Sequence, residues 1–556
     1  MAFDPNAINK RFLINVALDG YTVRWARVGD EDLHMEDDTY YDGKVVSISS
    51  LSRSAGALLD PRIVLPSMTL IVDNKKDQAG VRVQDLFDTY TWGNRVVTIL
   101  IGQGNDLTDF DTLWEGVVQF PNGIHITDSQ VTIQLNDLRK KDAVVLPNTT
   151  ITLAAYPHAA ASSIGLPKPI LYGDWYTTAG NGEQVPCLLI DSTVGTGGKW
   201  MIAGHGIKSI ERVLKNGASV SFTGDLDNGQ FTLNVVYSAG TDVITCNCRG
   251  ATDTGLSSGT LLQTMPAVFN DILQTRCGIS AANIDSAALT AWAAELTSLD
   301  YVRRYINAEV DSHEVLIAEL LREGFADLSI EASKYFPRYR RISATGTLPQ
   351  YEAQDLAFST GEDRDFAIAR DPEQVYCNEG YGWFAYNPVA GDYSTRTELA
   401  ENLGAIADDG TRVRRTIYFN WMYNATGVGD RIQREVAVFS NLIELVNIKV
   451  SARAVTEGPA DQFRLIYNKF VEVDTDLGTP FQIRACEVDL WTFTSRISQA
   501  WNLLTLGGGT WTEDDIITWL LATIGQRNVK GFFTDDSGYA DTSGSPDAAS
   551  RRYKWV

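Results

Sequence analysis

Short apolar runs, most of them with polar residues recurring at period two, fill the first quarter of the chain. They are Phe12 to Leu18, Tyr21 to Trp25, Lys44 to Ile48, Met68 to Val72, Arg95 to Ile101, Leu113 to Gln119 and Gln130 to Leu135. Alternation at period two places one face of each segment in a core and the other toward a polar environment, so these runs predict strands. Asp19-Gly20 between the first two is a tight hairpin signal. One run, Val83 to Tyr90, repeats at the helical period and predicts a short helix inserted between strands. Strands of this length and spacing fit a closed or nearly closed β barrel with one flanking helix, and a small sandwich would give the same pattern.

The pattern breaks at Ile164-Gly-Leu-Pro-Lys-Pro-Ile-Leu-Tyr-Gly-Asp-Trp175. Pro167 and Pro169 fix their own backbone angles and push Leu166 and Lys168 into extended conformations, which excludes a helix. Ile170 to Tyr172 then reads as a short strand, with Gly165 and Gly173 at the changes of direction. The segment is expected to join the first β region to a second. That second region spans about 176 to 262 and carries Pro186 to Ile190, Ile207 to Leu214, Gln230 to Val236 and Asp242 to Cys246. Turn signals at Asn216-Gly217 and Asn228-Gly229 predict an antiparallel module.

Helical periodicity follows in Met265 to Cys277, Ser286 to Leu296 and Ser312 to Gly324. Ser312 is the expected N-cap of the last of these, Glu314 lies in its first turn and Gly324 is placed to end it. Strand-type runs return at Arg338 to Ile342, Val375 to Cys377, Thr416 to Tyr423, Glu435 to Val446 and Gln462 to Tyr467. Thr512 to Ile524 predicts a final helix, and beyond it a stretch rich in Gly, Ser, Asp and Pro, with Phe532, Phe533, Tyr539, Tyr553 and Trp555, suits an extended arm. The expected organisation is a β-barrel domain over 1–150, a connector and antiparallel β module over 151–262, a helical or α+β module over 263–345, a second β-rich domain over 346–490 that is a possible barrel, and a C-terminal helix and arm over 491–556. The fold class is therefore multidomain α+β, mainly β.

Composition leaves that picture in place and narrows the chemistry. With 44% hydrophobic and 21% charged residues in 556 positions, the chain is that of a folded protein with several cores. A formal charge of -23 opposes a surface that grips nucleic acid, since such surfaces neutralise phosphates with clustered Lys and Arg. An acidic wall repels phosphates and suits DNA that only passes. The N-terminal residues lack a basic region followed by an apolar one, and no run approaches the length of a membrane span, so synthesis and assembly in the cytoplasm are expected.

The candidate chemistry is sparse. Cys187, Cys246, Cys248, Cys277, Cys377 and Cys486 form no C-x-x-C pair and have no His at zinc-ligand spacing, so reduced, buried thiols are expected. Cys246 and Cys248, two apart on a strand, share a face. His34, His125, His158, His205 and His313 are scattered, with neither an H-E-x-x-H nor a G-x-S-x-G motif. Gly195-Thr-Gly-Gly-Lys-Trp200 resembles a phosphate loop only superficially: Thr193 stands where the first Gly belongs and Trp200 where a Ser or Thr would reach the metal, which leaves a turn. Asp106, Asp109, Asp111 and Glu115 are carboxylates of the type calcium prefers, but their spacing is not that of an EF-hand and a solvated acidic loop is the expectation. No catalytic, cofactor-binding or metal-binding residues are assigned, and no enzyme activity is expected.

Two motifs carry a resemblance. Ile164 to Trp175 is similar to the segment that follows the first domain in tail-tip and baseplate hub proteins of tailed bacteriophages. Val529-Lys-Gly-Phe-Phe-Thr-Asp-Asp-Ser-Gly-Tyr-Ala-Asp541, followed by Gly544 to Asp547 and Ser550 to Trp555, resembles the ending of phage minor tail proteins. Leu316 to Asp327 resembles a helix of the same hubs. The resemblance implies a tail-tube-like barrel that packs side by side into a ring, a second barrel in the same chain, and a homotrimer or, next, a hexameric ring. It further implies a structural virion protein at the tail tip or baseplate that closes or extends the tail channel. Its implied partners are distal tail or tube proteins, a tape measure protein and central fibre or receptor-binding proteins, with DNA only in transit, no cofactor and no stable membrane association. A contractile injection system's hub shares this fold. The competing class is a virion-associated carbohydrate-binding or carbohydrate-degrading protein, suggested by 13 Trp and 22 Tyr that are able to stack on sugars or to fill β cores.

Overall fold

The computed structural model describes residues 10–28, 33–57, 61, 64–76, 80–142, 144–176, 184–308, 313–331, 334–340, 348–360, 363–370, 373–440, 444–450, 457–459, 461–467, 479–502, 532–534 and 552–554. The chain forms two compact units. The first comprises Met1–Tyr339, Tyr381–Glu398 and Thr416–Arg431, and the second comprises Arg340–Gly380, Leu399–Arg415 and Ile432–Val556. The architecture is mainly β, as the alternating pattern predicts. The expected cap Ser312 and the expected helix Thr512 to Ile524 lie outside the described residues. In the expected arm, Phe532–Thr534 and Arg552–Lys554 pair antiparallel with each other.

The first unit opens with a closed barrel. Its strands are β1 (Lys10–Leu18), β2 (Tyr21–Arg27), β3 (Tyr40–Ile48), β4 (Ser67–Asp73), β5 (Val96–Gln103), β6 (Phe110–Val118) and β7 (Gln130–Asp137), with helix α1 (Val83–Thr89) between β4 and β5. Their spatial order is β2-β1-β5-β6-β7-β4-β3, and a parallel pairing of β2 with β3 closes the ring through Trp25↔Asp42 and Arg27↔Val45. All other steps around the barrel are antiparallel. Closure removes the free edges that an open sheet would present. Met68, Leu70 and Val72 lie opposite Leu135, Ile133 and Val131, and all six are buried, so the period-two face of the sequence is the core face. Helix α1 is fixed to the barrel by rings: Phe87 packs on Trp92 at 4.4 Å, and Trp92 stacks on Trp25 of β2 at 5.9 Å.

The antiparallel module after the connector is built from two four-stranded sheets. One orders Val185–Pro186, Ile244–Arg249, Ser209–Lys215 and Ala218–Val220, and the other Leu188–Asp191, Lys199–Met201, Gln230–Leu233 and Phe222–Asp225. Trp200, Phe231, Leu233, Val213, Cys246 and Cys248 fill the core to which both contribute. The expected helices follow as α2 (Met265–Asp271), which continues as a π-helical turn Ile272–Arg276, α3 (Ser286–Ala294) and α4 (His313–Glu323). A hairpin of Ala326–Glu331 with Lys334–Tyr339 completes this part.

The second unit holds β10 (Gln350–Glu352), β11 (Phe366–Arg370), β12 (Glu444–Val450), β13 (Gln462–Ile466), β14 (Thr479–Asp489) and β15 (Thr494–Asn502), counted onward from β8 and β9 of the first unit, which are Ile170–Tyr172 and Arg304–Ile306. Their order is β10-β13-β14-β15-β12-β11. Deleting β1 from the first barrel leaves β2-β5-β6-β7-β4-β3, the same order strand for strand. Direction agrees as well. β2 and β5 both run antiparallel to β1 and are therefore parallel to each other, as β10 and β13 are, while the remaining neighbours are antiparallel in both units. The core of this sheet contains Tyr351, Val446, Ile448, Phe463, Leu465, Phe481, Ile483 and Ile497.

Three strand expectations differ from the structure, and Val375 to Cys377 lies outside any strand. Glu435 to Val446 does not form one strand: helix Ala425–Phe439 ends inside it and β12 begins at Glu444. Val428, Ile432, Val436 and Phe439 are all buried, and their spacing of four, four and three is helical. A window opened at Glu435 cuts that periodicity off. Of Thr416 to Tyr423 only residues 416–418 are strand, the end of Arg414–Tyr418, because the amide groups that follow point at a side chain.

Candidate functional site

The Pro-rich segment has its predicted local structure and an unexpected setting. Pro167 bridges Thr150, the Lys168 amide donates to Thr149 O at 2.8 Å, and Pro169 O accepts from the Gly204 amide at 2.8 Å. β8 then pairs antiparallel with β9 through Ile170↔Ile306, Leu171↔Tyr305 and Tyr172↔Arg304. Its other edge is also occupied. The Ala251 amide donates to Leu171 O at 2.8 Å and the Gly250 amide to Gly173 O at 2.9 Å. Ile170, Leu171 and Tyr172 are buried. The segment is therefore a central strand of the first unit as well as a connector, because its extended prolines deliver an apolar tripeptide between two partners.

Polar groups tie this strand to its surroundings. The Tyr172 hydroxyl donates to Asp271 Oδ2 of α2 at 2.7 Å, and Arg276 Nε donates to the same carboxylate at 3.0 Å. Burial drives the Tyr172 pKa far up, so the hydroxyl keeps its proton. The Leu171 amide donates to His205 Nε2 at 3.0 Å, and Nδ1 of the ring lies 2.8 Å from Gly206 O. Nδ1 therefore carries the proton. Desolvation lowers the His205 pKa to about 3, which keeps the ring neutral and able to accept. Gly173, at φ +77°, is closely enclosed: a Cβ there would meet Val302 O at 2.1 Å.

The second polar centre is Glu323, the last residue of α4 and fully buried. Its carboxylate accepts three successive backbone amides, from Asn420 at 2.6 Å, Trp421 at 3.0 Å and Met422 at 2.9 Å. Desolvation raises its pKa to about 7 against the opposing pull of Arg322 and of these amides. The carbonyls of the same stretch face cations and amides of the body. Tyr418 O accepts from Arg322 Nη2 at 2.5 Å, Asn420 O from Arg304 Nη1 at 3.3 Å, and Trp421 O from the Arg303 amide at 2.9 Å. The Arg303 guanidinium lies between the rings of Trp175 and Tyr423, at 5.0 and 4.5 Å. Trp175, Arg303, Arg304, Tyr386, Trp421 and Tyr423 line a shallow depression with no room for a substrate. The arrangement holds chain segments together and presents no nucleophile or exposed acid-base pair.

The candidates read from sequence fall elsewhere. Asp106 caps a short turn, its carboxylate accepting from the Thr108 amide, and among the described residues no group of three or more His, Cys, Asp or Glu is placed to hold a metal ion. Lys199 of the phosphate-loop-like stretch lies in a strand and pairs with Asp225 at 3.1 Å. Cys246 and Cys248 are buried with sulfurs 3.5 Å apart, and all six cysteines are free. His125 and His158 are exposed, whereas His313 is buried and accepts from the Val144 amide at 3.3 Å. The residues that sequence reasoning missed are Asp271, Arg276 and Glu323, whereas His205 was among the five scattered histidines and serves as a neutral acceptor for the Leu171 amide. Two carried a signal: Asp271 and Glu323 stand at core-facing positions of their helices, three residues after Val268 and Leu320.

No family model and no curated protein matches the chain. Solved structures do. The 43 kDa tail protein of prophage MuSo2 from Shewanella oneidensis is 10% identical with a TM-score of 0.40, over 89% of this chain and 98% of that one. The tail protein from Neisseria meningitidis MC58 is 6% identical with a TM-score of 0.35, over 88% and 96%. A prophage tail protein from Listeria monocytogenes EGD-e is 7% identical with a TM-score of 0.33, over 88% and 94%. Each of the three is a tail protein.

Proposed function

We infer that the protein is a structural component of a phage tail tip or baseplate, a hub that assembles as a ring around the tail channel, anchors receptor-binding parts and catalyses no reaction. The observation that carries this reading is the repeated strand order. One chain supplies a closed barrel and a second sheet of the same order and directions without the first strand. Two such elements per chain let three copies present six similar wall elements, which is the symmetry a trimer needs to meet a sixfold tube. The two sequence motifs at Ile164 to Trp175 and Val529 to Asp541 support the same family. The acidic charge of -23 suits a wall past which DNA slides.

Sugar binding has less support. Trp25, Trp92, Trp114, Trp175, Trp200, Trp292, Trp421 and Trp501 are buried and so are not available for stacking on a glycan. Mass measurement in solution and negative-stain imaging of the purified protein test the proposal. A threefold particle with a central hole is expected, and monomers that bind or cleave a glycan would overturn it.

A further inference from the structure

We propose that Tyr381, Trp383 and Arg396 form the contact by which one copy of the chain grips the next, with the Arg396 guanidinium set against carboxylates of that second copy. The inference rests on the ring reading above and names a surface that such a ring needs. All three residues belong to the first unit. Tyr381 and Trp383 stand two apart on strand Glu379–Asn387 and so share a face. Trp383 pairs directly with Arg396 of strand Asp392–Arg396, which brings Arg396 to the same side. Phe384 points the other way and is buried, so the shared face is the outer one. There Arg396 is exposed and the two rings are half-buried.

The guanidinium lies 5.0 Å from the centroid of Tyr381 and 5.9 Å from that of Trp383, so two rings hold it in place. Among the described residues no carboxylate pairs with it. Other cations of the first unit are paired within the chain: Arg95 with Asp19, Lys199 with Asp225, Lys215 with Asp242 and Arg338 with Glu331. Arg396 instead keeps its planar N–H fork for a carboxylate from outside. The charge of the chain points to a second copy as the source. At -23 per chain copies repel one another, and a stable contact between them needs a cation placed against the acidic surface of the neighbour. Trp, Tyr and Arg are also the residue types that dominate the energy of protein contacts. A sugar fits less well, because Arg396 already lies over the rings on which it would stack. A patch that grips a different surface of the next copy repeats head to tail and closes a ring where the rotation permits.

The test is sedimentation velocity of the purified full chain over a concentration series. Trp383→Ala, Arg396→Gln and Arg396→Glu are each expected to raise the concentration at half assembly by roughly 30-fold or more. Lys76→Glu makes the same change of charge at an exposed residue just after β4 and is expected to assemble as the wild type does. Wild-type assembly by Arg396→Glu overturns the proposal, as does an equal loss in Lys76→Glu, which would reduce the effect to net charge. A wild-type chain that stays monomeric defeats the ring reading and the proposal with it, whereas a wild-type ring that Arg396→Glu leaves intact defeats this proposal alone. Should Trp383→Ala fail to fold, the two Arg396 variants decide, since that side chain is exposed.

Discussion

Gly165 and Gly173 bracket the Pro-rich segment and share a left-handed backbone, with φ at +82° and +77°. Their surroundings differ. A Cβ at Gly165 meets no atom within 4 Å, whereas at Gly173 it meets Val302 O at 2.1 Å and Arg303 Cα at 2.6 Å. Alanine in the left-handed region costs about 1–2 kcal/mol at either site. At Gly173 the obstacle is backbone, next to the strand that pairs with β8, and it cannot rotate away as a flexible side chain would. Overpacking of that kind adds about 1–3 kcal/mol. Gly165→Ala is therefore expected to lose about 1–2 kcal/mol and Gly173→Ala about 2–5 kcal/mol. Urea unfolding followed by tryptophan fluorescence, with Trp175 two residues from the second site, measures both. Equal losses within about 0.5 kcal/mol would refute the argument, since backbone conformation alone would then account for them.

Two further outcomes concern the polar ties of the same strand. Tyr172→Phe removes the hydroxyl that meets Asp271 and should cost about 1–2 kcal/mol, read from the same urea curves; no loss would mean that Arg276 satisfies the carboxylate unaided. His205, neutral when folded with a pKa near 3, gains a proton on unfolding below about pH 6.5, so stability should fall as pH drops from 6.5 toward 3. His205→Gln, which keeps an acceptor for the Leu171 amide, should make that decline shallower by one proton, and an identical slope in urea midpoints between pH 7 and 4 would contradict the assignment.

The first barrel was legible because its strands bury one face each: the alternation in Met68 to Val72 and Gln130 to Leu135 is enough to place them, and Asp19-Gly20 supplies the turn. The short helix at Val83 was equally clear from its period. The repeat in the second unit was not legible. It lives in strand order and direction, which many unrelated sequences satisfy, and the strands carry no shared residues that a reader of the chain would align. Between β11 and β12 the chain also runs through residues 371–443, which separate partners that are adjacent in the sheet. Helix Ala425–Phe439 was half hidden for a simpler reason, since Val436 to Phe439 read in isolation is an apolar run of either type. Glu323 shows what a pattern can flag without explaining. A carboxylate on the apolar stripe of α4 demands partners, but those partners are backbone amides, which no residue code reveals.

The distance along the chain between Glu323 and its three amides, 97 to 99 residues, has a consequence for biosynthesis. At about 5–20 residues per second, the ribosome adds these amides roughly 5–20 s after α4. For that interval the carboxylate is hydrated and the pit beneath the future Trp421 stands open. β8 waits in the same way for β9. The first unit is therefore finished late, after Arg340–Gly380 and Leu399–Arg415 of the second have been made, and a nascent chain interrupted before Thr416 would carry a completed barrel and an unsealed body.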